Sequence, residues 1–131
     1  MSHAAQAQTS SSPARKNASA SSAVATDSAT IERGRQAYEA RCGACHSVQD
    51  NRVGPAHQGV FGRKAGSAKD YDYSPAVASS KVIWTKSNLQ AWLTDPEALI
   101  PGQKMGYRLG SETQREDIIA YLASVSPSKR K

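Results

Sequence analysis

The stretch that decides the fold is Cys42-Gly43-Ala44-Cys45-His46. Two thiols three positions apart, with a histidine directly after the second, match the edge of a porphyrin. Each thiol can add to one vinyl group, and the histidine then lies under the ring within reach of the iron. Other uses of such a pair need surroundings that are absent here. A redox disulfide of the thioredoxin kind sits in a βαβ pattern, and the chain shows no parallel-strand pattern. A zinc site would need partners from a pool of three histidines, His3, His46 and His57. Cys42 and Cys45 are the only cysteines, so one chain cannot build a four-cysteine zinc or iron–sulfur centre. The adjacent histidine selects covalent haem, one per chain.

Working outward, the residues before the motif form an amphipathic helix from about Ala29 to Arg41. Ile31, Gly34, Tyr38 and Cys42 recur at three- and four-residue spacing, with charges opposite. Asp27 or Ser28 supplies its cap. After the motif, residues 47–72 carry Gly54, Pro55, Gly59, Gly62 and Gly66 and read as irregular wrapping chain. Ser74-Pro75 places a cap before a first-turn proline, predicting a short helix over 75–80. A further helix is expected from roughly Ser87 to Thr94, burying Leu89, Trp92 and Leu93. Asp95-Pro96 starts one more turn that stops before Pro101-Gly102. Ser111-x-x-Gln114 is a capping box, opening a last helix with Ile118, Ile119, Leu122 and Val125 along one stripe. No strand-like alternation and no repeat appears, so the class is all-α.

The 131 residues fit one domain with length to spare. Residues 1–28 are mostly Ala, Ser, Thr and Gln without hydrophobic period. They read as a disordered tail or linker, either a tether from a lost membrane anchor or an expression leader. Residues 29–126 are the folded unit and 127–131 a basic C-terminal tail. The formal charge of +6 sits largely in Arg15, Lys16 and Lys129, Arg130, Lys131. Residues 31–128 hold 12 basic and 10 acidic side chains, which excludes a nucleic-acid-binding face. No apolar run is long enough to span a membrane. The first thirty residues lack the apolar core of a secretory signal. Covalent haem attachment nevertheless implies a place outside the bacterial cytoplasm, or the mitochondrial intermembrane space, so the targeting signal or anchor is expected to lie outside this chain.

A six-coordinate iron needs a second axial ligand. Met105 is the only methionine besides Met1, and it lies in the aperiodic stretch Ile100-Pro101-Gly102-Gln103-Lys104-Met105-Gly106-Tyr107. A packing role is the ordinary fate of a methionine, but a Pro-Gly loop between helices is a poor place for one. A His46/Met105 pair would raise the reduction potential and close the iron to oxygen, favouring electron transfer over substrate chemistry.

Taken together, these motifs resemble class I cytochromes c, of the small soluble bacterial type related to the mitochondrial carrier. The likeness spans about residues 31–125. It rests on Gly34 and Tyr38, CGACH, Val53-Gly54-Pro55, the run Gly59 to Gly66, Tyr73-Ser74, Ile83-Trp84, Asp95-Pro96, Ile100 to Met105, and Arg115 to Leu122. The resemblance implies a cytochrome c fold, with three main helices and short ones wrapped around the haem. It implies a non-enzymatic one-electron carrier, a periplasmic monomer that meets a membrane oxidase, reductase or dehydrogenase of a respiratory or photosynthetic chain. Residue by residue, it implies His46 oriented by the Pro55 carbonyl, Tyr73 and Trp84 as donors to a buried propionate, and Arg63 as the compensating cation. It also implies that Gly34 and Tyr38 meet Ile118 and Tyr121 where the terminal helices cross.

Five positions depart from the pattern. His57 replaces a leucine beside the haem and reads either as a satisfied pocket histidine or as a spare ligand able to displace Met105. Trp92 replaces a tyrosine that donates to the methionine sulfur, and Gln103 replaces a threonine that reaches a propionate. Glu97 and Ala98 replace two lysines of the basic ring around the haem edge, leaving Arg41, Lys104 and Lys86. Steering towards an acidic partner should therefore be weak and salt-dependent. The alternatives are a haem domain of a larger oxidoreductase, with the Ala/Ser stretch as linker, and a haem enzyme or sensor in which Met105 is displaced.

Overall fold

The computed structural model describes residues 23–126. The expectations for residues 1–22 and for the basic tail from 127 fall outside that range. Five helices occur among the described residues: α1 (Ser28–Arg41), α2 (Pro75–Ala78), α3 (Lys86–Thr94), α4 (Pro96–Leu99) and α5 (Glu112–Ser124). Three are long and two are single turns, as expected.

The helix starts follow local chemistry. At α1 the Asp27 carboxylate accepts the Thr30 N–H at 3.0 Å, so Asp27 rather than Ser28 is the cap. Ahead of it, Val24 already packs against the core and the Ala23 carbonyl accepts from Lys86. Ser74 caps α2 in front of Pro75, and α2 ends at Ala78, where the Ser79 hydroxyl donates back to the Pro75 carbonyl. α3 begins one residue earlier than expected because the Thr85 hydroxyl accepts the Asn88 N–H at 3.1 Å. Ser111 forms its half of the capping box on Gln114 N–H. Val125 lies just past α5 as its C-terminal cap.

α1 and α5 make the largest helix–helix interface. A β-carbon on Gly34 would lie 1.9 Å from the Asp117 carbonyl oxygen and 2.9 Å from Tyr121 Cβ, so only glycine permits this crossing. The Tyr38 and Tyr121 rings meet at 5.2 Å between centroids. Beside the contact, Arg33 grips Asp117 through Nε–Oδ2 at 3.1 Å and a second bond to Oδ1 at 3.3 Å. Ile118, Ile119 and Leu122 bury the stripe read from the sequence.

One feature departs from the all-helical pattern. Residues 62–65 pair antiparallel with 82–84: Gly62 N–H donates to the Trp84 carbonyl (2.8 Å), Trp84 N–H to the Arg63 carbonyl (2.9 Å), and Ala65 N–H to the Val82 carbonyl (2.8 Å). The pairing is too short for a two-residue period to show in sequence. It sets Arg63 and Trp84 side by side.

Candidate functional site

A cavity of ≈ 370 Å³ opens between the motif and the far loops. Its walls carry Cys45, His46, Pro55, Arg63, Tyr73, Trp84, Trp92 and Met105, all expected at the site, between apolar Val60, Val77, Leu89, Leu93 and Leu122. Cys42 stands outside this lining, half-buried against the core at the end of α1.

His46 is held on three sides. Its Nδ1–H donates to the Pro55 carbonyl at 2.9 Å. Because a carbonyl can only accept, this fixes the tautomer and leaves the Nε2 lone pair free for a metal. A β-carbon on Gly54 would lie 2.2 Å from His46 Cε1, so the glycine backbone forms a cradle against the ring. His57 stacks on the imidazole with centroids 4.0 Å apart and planes 23° apart. Burial lowers the His46 pKa, which favours the neutral, ligating form.

His57 is itself committed. Its Nδ1 shares a 2.9 Å hydrogen bond with the Tyr38 hydroxyl, and burial first, then His46, push its pKa well below the ordinary value. That is the satisfied pocket histidine of the two readings. Burial likewise raises the Tyr38 pKa, so the pair is a neutral phenol and a neutral imidazole.

The thiols do not resemble a redox pair. Burial pushes the Cys42 thiol up to about 11, with Cys45 adding to the effect. A reactive redox cysteine shows the opposite shift. Arg52, which sequence reasoning missed, staples the turn between them. Its Nη1 donates to the Gly43 carbonyl at 2.6 Å and the His46 carbonyl at 3.3 Å, and its Nη2 to the Ala44 carbonyl at 3.4 Å. A lone arginine in a loop gives no pattern by which to find it.

The chemistry of the lining fits a flat apolar macrocycle bearing carboxylates. Arg63 donates through Nη1 to Gln58 and through Nη2 to Ala56, yet its buried Nε has no partner among the described residues. A buried guanidinium N–H without an acceptor is costly, and a propionate oxygen would satisfy it. The Tyr73 hydroxyl accepts the Ala68 N–H at 2.9 Å, so its own proton is left to donate. Trp84, only 7% exposed, packs edge-on against the half-buried Trp92 at 5.3 Å. Both tryptophans line the cavity, Trp84 buried and Trp92, expected to be buried in α3, only half-buried. Lys104 donates to the Asp72 carbonyl and lies 5.7 Å over the Tyr71 ring.

The family model for cytochrome c matches residues 31–126. This chain belongs to the cytochrome c family. It is an all-α haem protein that carries haem c covalently and transfers electrons between redox partners, and it is not an enzyme. Among its relatives, cytochrome c of Euglena viridis is 38% identical over 97 residues, covering 72% of this chain and 95% of that protein. Cytochrome c2 of Rhodoplanes tepidamans is 34% identical over 105 residues, covering 77% and 97%. Cytochrome cH from Methylobacterium extorquens is similar in structure, with a TM-score of 0.68 at 40% identity, covering 72% of this chain and 97% of its own.

Proposed function

We propose that this cytochrome is a periplasmic one-electron carrier with His46 and Met105 as its axial ligands. The observation that carries the reading is that His46, with Nε2 free, and Met105 line the same cavity. The haem, when bound, supplies a one-electron ferric–ferrous couple. The chain does the rest. Cys42 and Cys45 would anchor the ring edge, the Pro55 carbonyl orients His46, and Arg63, Tyr73 and Trp84 would hold a propionate. Trp92 lines the same cavity as Met105. The apolar lining excludes water, and the α1–α5 crossing keeps the shell rigid. Rigidity matters because little can then rearrange when the charge changes.

Attachment of haem outside the bacterial cytoplasm supports the periplasmic assignment. Its partners would be an oxidase, reductase or dehydrogenase of a respiratory or photosynthetic membrane, met as a monomer. The Ala/Ser-rich leading segment would act as tether or linker. With Glu97 and Ala98 in place of two lysines, the charges of Lys104 and Lys86, which their hydrogen bonds to neutral backbone carbonyls do not remove, should steer docking only weakly. A carrier closed by Met105 predicts that carbon monoxide leaves the spectrum of the ferrous protein unchanged and that peroxide is not turned over. Ready carbon monoxide uptake, or steady peroxide consumption, would support the sensor or enzyme alternative instead.

A further inference from the structure

The segment from Ile100 to Gly106 presents Met105 but has almost no backbone hydrogen bonding of its own. Among the described residues, its internal backbone bond is Gln103 N–H to the Ile100 carbonyl, at 3.2 Å. The amides on either side of Met105 are satisfied by side chains. Gly102 N–H donates to Glu97 Oε2 at 2.9 Å, Gln103 Nε2 donates to Glu97 Oε1 at 2.9 Å, and Gly106 N–H donates to Gln103 Oε1 at 2.9 Å. The three bonds form one relay from α4, through Gln103, to the residue after Met105. The bonds from Gln103 and Gly102 hold the Glu97 carboxyl below the usual glutamate range, as expected of a carboxylate serving as a fixed acceptor.

Glu97 and Gln103 are two of the positions that depart from the family pattern, and they are partners of each other. We propose that Glu97 and Gln103 form a clamp that positions Met105 at the iron by satisfying the amides of Gly102 and Gly106. Both are positioning residues, since neither reaches the metal. Gln103 is turned towards Glu97 and Gly106, which replaces the propionate contact expected at its position. The proposal rests on Met105 being the axial ligand.

The clamp acts on the fraction of molecules in which Met105 is off the iron. An added ligand binds only that fraction, so its apparent affinity scales with it. Imidazole titrated into the ferric holoprotein measures it, through loss of the near-infrared charge-transfer band of thioether-ligated iron. Glu97→Ala and Gln103→Ala are each expected to raise apparent imidazole affinity by about five- to tenfold, as loss of one or two loop hydrogen bonds implies. The double variant should add little to the larger single effect, because each breaks the same relay. Glu97→Gln, which keeps one carbonyl acceptor, should fall between wild type and Glu97→Ala. Asp50→Asn, which removes an exposed acid elsewhere, should leave affinity unchanged. Amide hydrogen exchange at Gly102 and Gly106 should accelerate in both alanine variants while the guanidinium unfolding midpoint barely moves.

Unchanged imidazole affinity and exchange in both alanine variants overturn the clamp. So does an affinity gain that only tracks a loss of global stability. A wild-type ferric protein without the band has no thioether ligand to position, and then the Met105 assignment fails first and takes the clamp with it.

Discussion

Substituting Gly34 by alanine tests how the fold is closed. The new β-carbon would sit 1.9 Å from the Asp117 carbonyl oxygen and 2.7 Å from its carbon, both backbone atoms of α5 that cannot rotate away. Relief requires α1 and α5 to part by about 1 Å, loosening the Tyr38–Tyr121 contact and the Arg33–Asp117 pair together. Overpacking of this kind costs about 3 kcal/mol at the upper end of its usual range. Replacing a helical glycine by alanine returns about 1 kcal/mol of propensity. The net is a loss of about 2 kcal/mol, or roughly 8–16 °C in melting temperature for a domain of this size. Guanidinium and thermal unfolding of the holoprotein, followed by far-ultraviolet circular dichroism, measure it. Gly110→Ala is the control, because its β-carbon would meet nothing within 4 Å. A Gly34→Ala protein within about 0.5 kcal/mol of wild type, which is the usual scatter of a neutral surface change, would refute the crossing geometry.

Three further outcomes follow from the site and its supports. Gly54→Ala drives a methyl into the His46 ring and should displace it from the Pro55 carbonyl, altering the ferric electron paramagnetic resonance spectrum; an unchanged spectrum would mean the cradle is not tight. His57→Leu strands the buried Tyr38 hydroxyl and should cost about 1–3 kcal/mol, which adding Tyr38→Phe should largely recover; a double variant as unstable as the single would show that the hydrogen bond is not the cause. The Asp27 pKa is lowered by the Thr30 backbone N–H and then its hydroxyl. The cap's contribution is therefore complete above the ordinary aspartate pKa and lost as pH falls through the depressed value. Asp27→Ala should be less stable than wild type at neutral pH, with the gap closing in acid. A gap of constant size across that range would point elsewhere.

What the sequence made legible was whatever one residue type alone can do. CGACH and the glycine at 34 each name a contact with no substitute, and each stands where it was expected, whereas the His46 acceptor at Pro55 is a backbone carbonyl that only the resemblance pointed to. The residues that escaped were those whose role depends on a partner far along the chain. Gly54 reads as a turn glycine until the His46 ring is placed against it. His57 stays ambiguous until Tyr38 and His46 take up its nitrogen and its face. Glu97 and Gln103 read as two separate departures, yet they share hydrogen bonds. Arg52, an exposed loop arginine, gains meaning only from three carbonyls of the haem-binding turn. The pairing of 62–65 with 82–84 is likewise a long-range contact between segments too short to carry a period.

The most direct test of the carrier reading is the near-infrared spectrum of the purified ferric protein at neutral pH. His46 and Met105 ligation predicts the thioether–iron charge-transfer band in the wild type, its survival in His57→Leu and its loss in Met105→Ala. A wild-type spectrum without that band, or a Met105→Ala spectrum that keeps it, would contradict Met105 as the ligand that closes the iron.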